Sequence, residues 1–235
     1  MHVRFLGHSS FLLEFSSGNV LIDPNFNCVS LGRYRRMVPA PIKASDLPPV
    51  GLILITQEHE DHFDKKAIEE IVARDNSCVV AHDSVLSELN IPLRCKRGVT
   101  ANAHINVRGV NVKVHLSHHP QSFYPMSYVV TGDNVSVYHA GASHLLEEYP
   151  SDLKPDVALL PIGGNITMDL VDAVKATKVL KPDMVVPMHY NTFEICQASP
   201  EEFARKIEKS NLKTKAIVLA PNEKHEFNAP KELAR

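Results

Sequence analysis

Two histidines, two aspartates and two glutamates are packed into ITQEHEDHFD, residues 55–64, directly behind an apolar run. A divalent transition metal needs imidazole nitrogens and carboxylate oxygens that converge on one point. His59, Asp61 and His62 are close enough in sequence for one tight turn to aim all three inward. A solvated polar loop is the competing interpretation, and residues elsewhere in the chain are needed to distinguish the two.

Histidines recur throughout the chain, thirteen in all, and several directly follow apolar, β-like runs. Loops that leave the ends of several strands at one sheet edge are where functional side chains gather. We therefore expect histidines from distant parts of the chain to meet there: His59, His62, His118, His119, His139 and His189.

The elements that must position these histidines come in two rounds. Each round begins with β-like runs joined by turn residues and continues with alternating strands and helices. The first round predicts a helix over DKKAIEEIVARD with Asp64 as its N-cap, and the second predicts tight turns at Gly109 and at Gly132 with Asp133. Two such rounds predict an α/β (α+β) fold, a four-layer αββα sandwich, within one domain spanning residues 1–235.

One segment fits neither round. Residues 24–49 hold five prolines and the basic run GRYRRM, with little periodicity, so we expect an irregular excursion over the surface. If it covers the site, Arg33, Arg35 and Arg36 are candidates for clamping a phosphate or carboxylate, although a solvated face is the simpler expectation.

Composition excludes several classes of function. A net charge of -2 gives no basic field for a nucleic acid or an anionic membrane. No apolar run approaches the roughly 20 residues that span a bilayer, and the N-terminus lacks a signal-peptide layout. We expect a cytoplasmic protein with a small-molecule substrate; a homo-oligomer stays open. The four cysteines are scattered without a CxxC pair, which favours buried free thiols.

The motif TQEHEDHFD resembles the HxHxDH signature of the metallo-β-lactamase superfamily. Further stretches are similar, in the right order, to later motifs of its small metal-dependent hydrolases, relatives of ascorbate-6-phosphate lactonase: VHLSHHP, VYHAGASHLL, VALLPIGGNITM and VVPMHYNTF. The opening LGHSSFLLEF and VLIDPNF also resemble that family. The resemblance covers about residues 3–210 and implies an αββα sandwich with metals at one edge between the sheets.

The resemblance also implies two metal positions. The first would use Gln57, His59 and His118, with His119 as the alternative to His118. The second would use Asp61, His62 and His189.

Three departures from the family pattern weaken the first position. Gln57 replaces a histidine, Ala142 replaces the aspartate that bridges two metals, and an acidic residue is missing after Gly163. An amide oxygen is a weaker ligand than imidazole, and two cations without a bridging carboxylate repel each other. We therefore predict one divalent metal per chain, with zinc as the first choice and manganese or iron as rivals. His144 is a weak candidate for a replacement ligand.

Two further residues, His8 and Asp23, match family positions near the metal edge, where they would orient ligands through hydrogen bonds. Glu58 and Glu60 alternate with the ligands and, in an extended segment, would point away.

The predicted function is a metal-dependent hydrolase that attacks an ester, lactone, amide or phosphodiester bond through a metal-bound hydroxide. Asp61 would orient that nucleophile, and His59 and His118 would polarise or protonate the substrate. The alternative is a degenerate family member that binds a small anionic ligand or a partner without turnover. The substrate itself is beyond sequence reasoning, because the fold hosts many hydrolyses.

Overall fold

The structure is a computed structural model that describes residues 1–227. In chain order its strands are β1 (His2–Gly7), β2 (Ser10–Phe15), β3 (Gly18–Ile22), β4 (Ser30–Leu31), β5 (Tyr34–Arg35), β6 (Val50–Leu54), β7 (Cys78–Ala81), β8 (Lys96–Gly98), β9 (His104–Val107), β10 (Val110–Leu116), β11 (Met126–Gly132), β12 (Val135–His139), β13 (Val157–Pro161), β14 (Met184–Met188), β15 (Lys215–Ala216) and β16 (Lys224–Glu226). The α-helices are α1 (Lys65–Asp75), α2 (Asp83–Ser87), α3 (Leu170–Leu180) and α4 (Pro200–Glu208).

Each of the two rounds of the sequence forms one seven-stranded sheet, and the C-terminal strand β16 joins the first sheet. Their orders are β16-β1-β2-β3-β6-β7-β8 and β15-β14-β13-β12-β11-β10-β9. In each sheet an antiparallel meander continues into parallel strands, from β3 to β8 and from β12 to β15. The predicted succession of β runs followed by β/α units is thus confirmed for the described residues. The last eight residues of the predicted 1–235 domain lie outside them.

The inner faces of both sheets share one apolar core, which includes Phe11, Tyr128 and Val137. Helices α3 and α4 close the outer face of the second sheet with residues such as Phe203. A second cluster, with Ile53 and Ile68, joins the first sheet to α1. The αββα sandwich expected from the sequence is therefore the observed architecture.

Strand direction explains where functional residues gather. β1 and β3 both run antiparallel to β2 between them, and β6 is parallel to β3, so all three end at the same edge of their sheet. In the other sheet β10, β12, β13 and β14 run in one direction by the same reasoning. The loops after these strands carry the candidate site residues.

Three local expectations need correction. The turn between β11 and β12 is made by Asp133 and Asn134, both with positive φ (51° and 59°), as a two-residue hairpin requires. Gly132 instead ends β11, where a Cβ would come within 2.6 Å of the Phe15 ring. The apolar run TKAIVLA, residues 214–220, predicts a final strand, but only Lys215–Ala216 form one. All four cysteines are free thiols, but the expected burial holds only for Cys95 and Cys196, because Cys28 and Cys78 are half-buried.

The proline-rich excursion, residues 24–49, is anchored more firmly than its sequence suggests. It contains the short hairpin β4–β5, and the Asp64 carboxylate accepts hydrogen bonds from the amides of Phe26 and Asn27 at 2.9 and 2.8 Å. The same carboxylate caps α1 by accepting from the Ala67 amide. One side chain therefore ties the excursion to the first turn of a helix.

We expect Asp64→Ala to destabilise the metal-free protein more than the loss of an ordinary helix cap, which costs about 1 kcal/mol. The additional loss arises because the amides of Phe26 and Asn27 also lose their acceptor. Urea unfolding of Asp64→Ala should be compared with that of Asp169→Ala, in which the lost carboxylate caps α3 through the Asp172 amide. Equal losses in the two variants would contradict the anchoring role.

Candidate metal centre

Four buried side chains converge at the edge where the strands end. His8 follows β1, Asp61 and His62 follow β6, and His189 follows β14. One nitrogen or carboxylate oxygen from each lies within 4.8 Å of those of the other three. The two sheets therefore contribute to a single polar cluster, which we call the Asp61 cluster.

The backbone at these strand ends adopts an unusual conformation. His8 and His189 have φ values of 56° and 57°, in the left-handed region that non-glycine residues rarely occupy. The His189 amide donates to the His8 carbonyl at 2.7 Å, which locks the two strand exits together. Such strain persists only where the surrounding structure holds it, and it is concentrated at functional sites.

Asp23 fixes the orientation of His62. The carboxylate of Asp23 accepts from His62 Nδ1 at 2.7 Å and from the amide and hydroxyl of Thr56 at 2.8 and 2.6 Å. Nδ1 donates to Asp23 in this bond, and Nε2 lies 3.6 Å from Asp61 Oδ2. Burial lowers the pKa of His62, but Asp61 and Asp23 outweigh it and raise the pKa, so positive charge at Nε2, from a proton or from a metal ion, is favoured. The predicted orienting role of Asp23 rests on these contacts.

Asp61 is a buried carboxylate surrounded by imidazoles. His8 Nε2 donates to Asp61 Oδ2 at 2.9 Å, and His189 Nε2 lies 3.4 Å from the same oxygen. Burial alone would raise the pKa of Asp61, but His62, His189 and His8 outweigh it and hold the pKa well below its usual range. Burial, with His189 beside it, lowers the pKa of His8 to about 3. His8 is thus a neutral donor to an ionised Asp61.

The donor set fits a divalent metal. Among the described residues, the Nε2 atoms of His62 and His189 are buried and have no hydrogen-bond partner, which is costly unless something else binds them. Two such nitrogens beside an ionised carboxylate form the two-histidine, one-carboxylate set of catalytic zinc sites. Asp61, His62 and His189, predicted together from the sequence, are the residues that would hold the ion.

A second group lies beside the first, around His59. His59 Nε2 is 3.3 Å from the Gln121 carbonyl, and the Gln57 amide nitrogen is 3.2 Å from His59 Nδ1. His119 Nε2 lies 3.4 Å from the same Nδ1. Burial, followed by the neighbouring His59, lowers the pKa of His119 to about 4, so this ring is neutral.

The geometry corrects the choice between the two adjacent histidines. His118, which was expected at the first metal position, is exposed and its ring lies against His144, 5.6 Å between centroids. Its amide donates to Ser143 Oγ, and this bond helps to turn His119 inward. His119 is buried and faces His59 instead. His144 contacts His118 rather than the Asp61 cluster.

Two small residues also shape this edge. Ala142 is buried and offers no ligand where the family's bridging aspartate would stand. A Cβ at Gly163 would come within 2.2 Å of the His189 carbonyl and 2.8 Å of Cys196 Cβ. Glycine at this strand exit therefore allows the backbone of His189 to approach.

Two acidic residues behave differently from the sequence expectation. Residues 57–62 form turns rather than an extended segment, so Glu58 and Glu60 both line the cavity beside the Asp61 cluster. The Glu58 carboxylate accepts from Ser122 Oγ and from the Phe123 amide, both at 2.8 Å. It anchors the loop that carries His119.

Comparison with known proteins bears on this arrangement. A family model described as the β-lactamase superfamily domain matches residues 2–189. A UPF0173 metal-dependent hydrolase from Hyperthermus butylicus is 31% identical over 96% of this chain and 99% of its own length. The chain belongs to the metallo-β-lactamase superfamily.

Solved structures agree with this assignment. A metallo hydrolase from the hyperthermophilic archaeon Ignicoccus hospitalis superposes with a TM-score of 0.81 at 29% identity, covering 97% of this chain and 100% of its own. An isothiocyanate hydrolase from gut bacteria of Delia radicum gives 0.79 at 20% identity, covering 97% and 100%, which is a likeness of fold alone. The metallo-β-lactamase fold is shared with both structures. The buried group of His8, Asp61, His62 and His189 is consistent with a divalent metal, as the names of the metal-dependent hydrolase relatives also suggest.

Within residues 1–227, every helix is too short or too polar to cross a membrane.

We expect Asp23→Ala to weaken zinc binding about 10- to 100-fold, because His62 would lose the acceptor that fixes its orientation. Competition with a chromophoric chelator measures the affinity. Asp156→Ala is the matched control, since that carboxylate bonds only Ser136 at the other end of β12. Unchanged affinity in Asp23→Ala would remove Asp23 from the metal centre.

The two adjacent histidines predict opposite outcomes. His119→Ala should alter the absorption spectrum of the cobalt-loaded protein or its ligand binding, because His119 faces His59 in the site. His118→Ala should leave both unchanged, because His118 points to the surface. The reverse result would restore His118 to the site.

Proposed function

We propose that the protein is a metal-dependent hydrolase that cleaves an ester, lactone, amide or phosphodiester bond of a small substrate. The observation that carries the proposal is the pair of buried, unpartnered Nε2 atoms of His62 and His189 beside the ionised Asp61. A cavity of about 500 Å³ opens onto Asp61, His59 and His119, so a substrate would have access to this cluster. The names of the relatives, metal-dependent hydrolases, support the same class.

Asp61, His62 and His189 would hold one divalent ion, with zinc as the first choice and manganese or iron as alternatives. When bound, such an ion lowers the pKa of a water to near neutrality and polarises the bond to be cleaved.

The chain's own residues have separable tasks. His8 holds Asp61 in place by donating from Nε2, and Asp23 holds His62. His59 and His119 line the cavity and would contact the oxygen atoms of the substrate. Because the pKa of His119 is lowered to about 4, its Nε2 would accept a hydrogen bond rather than donate one near pH 7, given that Nδ1 donates to the Ile166 carbonyl at 3.1 Å.

The number of ions follows from the altered first position. Gln57 and Ala142 leave His59 and His119 without a third strong ligand and without a carboxylate shared with a second ion. We infer one tightly held ion per chain. The same two residues favour the second candidate function, a family member that binds a small anionic ligand or a partner without turnover.

Asp61→Ala should lose the metal and all turnover, because it removes the carboxylate of the proposed ligand set and leaves only the uncharged imidazoles of His62 and His189 to hold the cation. Elemental analysis of protein purified without chelator and then loaded with zinc gives the ion content, and a panel of aryl esters, lactones and phosphodiesters gives turnover. Asp152→Ala, which changes an exposed aspartate, should keep both.

Three results decide the proposal. About one zinc per wild-type chain, with ester or phosphodiester turnover that Asp61→Ala and His189→Ala abolish, supports the hydrolase. One zinc without turnover on any substrate favours the binding protein. Full turnover in Asp61→Ala contradicts the assignment of the site.

A further inference from the structure

The cavity that adjoins the Asp61 cluster has walls of different character. At its inner end lie His59, Asp61 and His119. Its outer walls come from the β4–β5 hairpin, through Leu31 and Gly32, and from the loop after β13, through Ile166. The volume of about 500 Å³ is within the range of small-molecule sites. A substrate whose reacting bond meets the cluster would place its remaining atoms between these outer walls.

The charged residues around this cavity are all acidic. Glu58, Glu60 and Asp61 line it, and within the described part of the chain it is lined by no lysine or arginine. Sites that bind phosphate or carboxylate present guanidinium groups, ammonium groups or clusters of backbone amides to the anion. Asp61 lies at the inner end and Glu58 is bonded to Ser122 and Phe123, so a negatively charged group at the outer end of a substrate would meet the exposed carboxylate of Glu60.

The arginines of the excursion do not change this balance. Arg36 donates from Nη1 to the backbone carbonyls of Asn25 and Cys28 and from Nε to the Val38 carbonyl. Its guanidinium is thereby committed to holding the excursion in shape. Arg33 donates to the Tyr34 hydroxyl at 2.8 Å and stacks on that ring. Arg33 and Arg35 are exposed, and neither they nor Arg36 line the cavity. The anion clamp considered from the sequence is therefore absent from the lining of this cavity.

The hairpin wall is preformed. The Arg36 amide donates to the Val29 carbonyl at 2.9 Å, which closes the hairpin at its base. Arg35 exchanges hydrogen bonds with Glu194, the amide of each residue reaching an oxygen of the other at 3.0 and 3.1 Å. Leu31 is thus held in place before a substrate arrives, and little ordering is needed on binding.

Exposed apolar side chains occur on the same segments. Val29, at the base of the hairpin, and Phe123, whose amide is held by Glu58, are each 76% exposed. Large apolar side chains that remain exposed on rigid segments beside a cavity are typical of ligand-binding surfaces.

We propose that the substrate carries an uncharged, apolar chain or ring on the side away from the reacting bond, and that Leu31 and Ile166 contact this group while Glu60 disfavours anionic ones. The inference rests on the proposed function, since it assigns the outer part of the same site. It excludes phosphorylated and dicarboxylate substrates whose charge lies beyond the reacting bond.

The test uses ligands that share one metal-binding head and differ only in the tail. Titration calorimetry on the zinc-loaded protein compares straight-chain hydroxamic acids of four to eight carbons, and at eight carbons three terminal groups: methyl, ammonium and carboxylate. Each added methylene should tighten binding about 3- to 4-fold while the tail stays in the cavity. The ligand with the carboxylate tail should bind at least about 10-fold more weakly than the one with the methyl tail, and also more weakly than the one with the ammonium tail. Loss of hydration disfavours both charged tails, but the Glu60 carboxylate repels only the carboxylate tail.

Two variants locate the effect. Ile166→Ala should reduce the increase in affinity per added methylene. Glu60→Gln should reduce the difference in affinity between the carboxylate and methyl tails and leave the increase per methylene unchanged. Val179→Ala, which shortens an exposed apolar side chain on α3, is the matched control and should change neither quantity.

The outcomes separate this inference from the proposed function. Tail discrimination without turnover of any ester, lactone or phosphodiester supports the apolar site and contradicts the hydrolase. If the protein turns over a substrate but its affinity for hydroxamates is independent of chain length, or is highest for the carboxylate tail, the hydrolase is supported and the apolar site is overturned. Absence of binding by every hydroxamate overturns the apolar site as well.

Discussion

The buried charge of Asp61 is the constraint on which the rest of the site depends. An ionised carboxylate in the interior is tolerated only when its surroundings compensate for the lost hydration. Here His8 donates to it, while His62 and His189 direct unpartnered nitrogens toward it. This arrangement would stabilise a bound cation. The need to compensate the buried charge explains why so many polar atoms lie at one sheet edge.

This constraint reaches back into the strands. His8 and His189 occupy left-handed backbone conformations at the exits of β1 and β14, and the hydrogen bond from one to the other joins strands of different sheets. Gly163 leaves the space that the His189 carbonyl fills. Backbone geometry and the hydrogen bond to Asp23 thus orient the proposed ligands and leave their side chains little rotamer freedom.

Much of this could be predicted from the sequence, for identifiable reasons. Asp61 and His62 are adjacent in the loop that follows the buried strand Val50–Leu54, and periodicity marks that strand and the capped helix after the loop. His189 could be found only through the family resemblance, because nothing local links PMHY to HEDH.

The remainder depends on contacts between distant segments, which the sequence pattern does not encode. His118 and His119 are neighbours, and the one that faces inward is held by contacts with distant segments, such as the bond between His119 Nδ1 and the Ile166 carbonyl. The role of Arg36 depends on carbonyl groups that its own loop presents. Glu58 and Glu60 both line the cavity because the segment bends and turns where the alternation assumed an extended chain.

Because the ligands come from both sheets, an ion held by Asp61, His62 and His189 would act as a cross-link between the two halves of the sandwich. Any ligand that binds the folded chain alone stabilises it by mass action, and one that joins distant segments also couples their unfolding. The sheets could then no longer separate without releasing the ion. The centre that serves chemistry would in this way also make the αββα sandwich a single cooperative unit, whose resistance to unfolding follows the concentration of free metal around it.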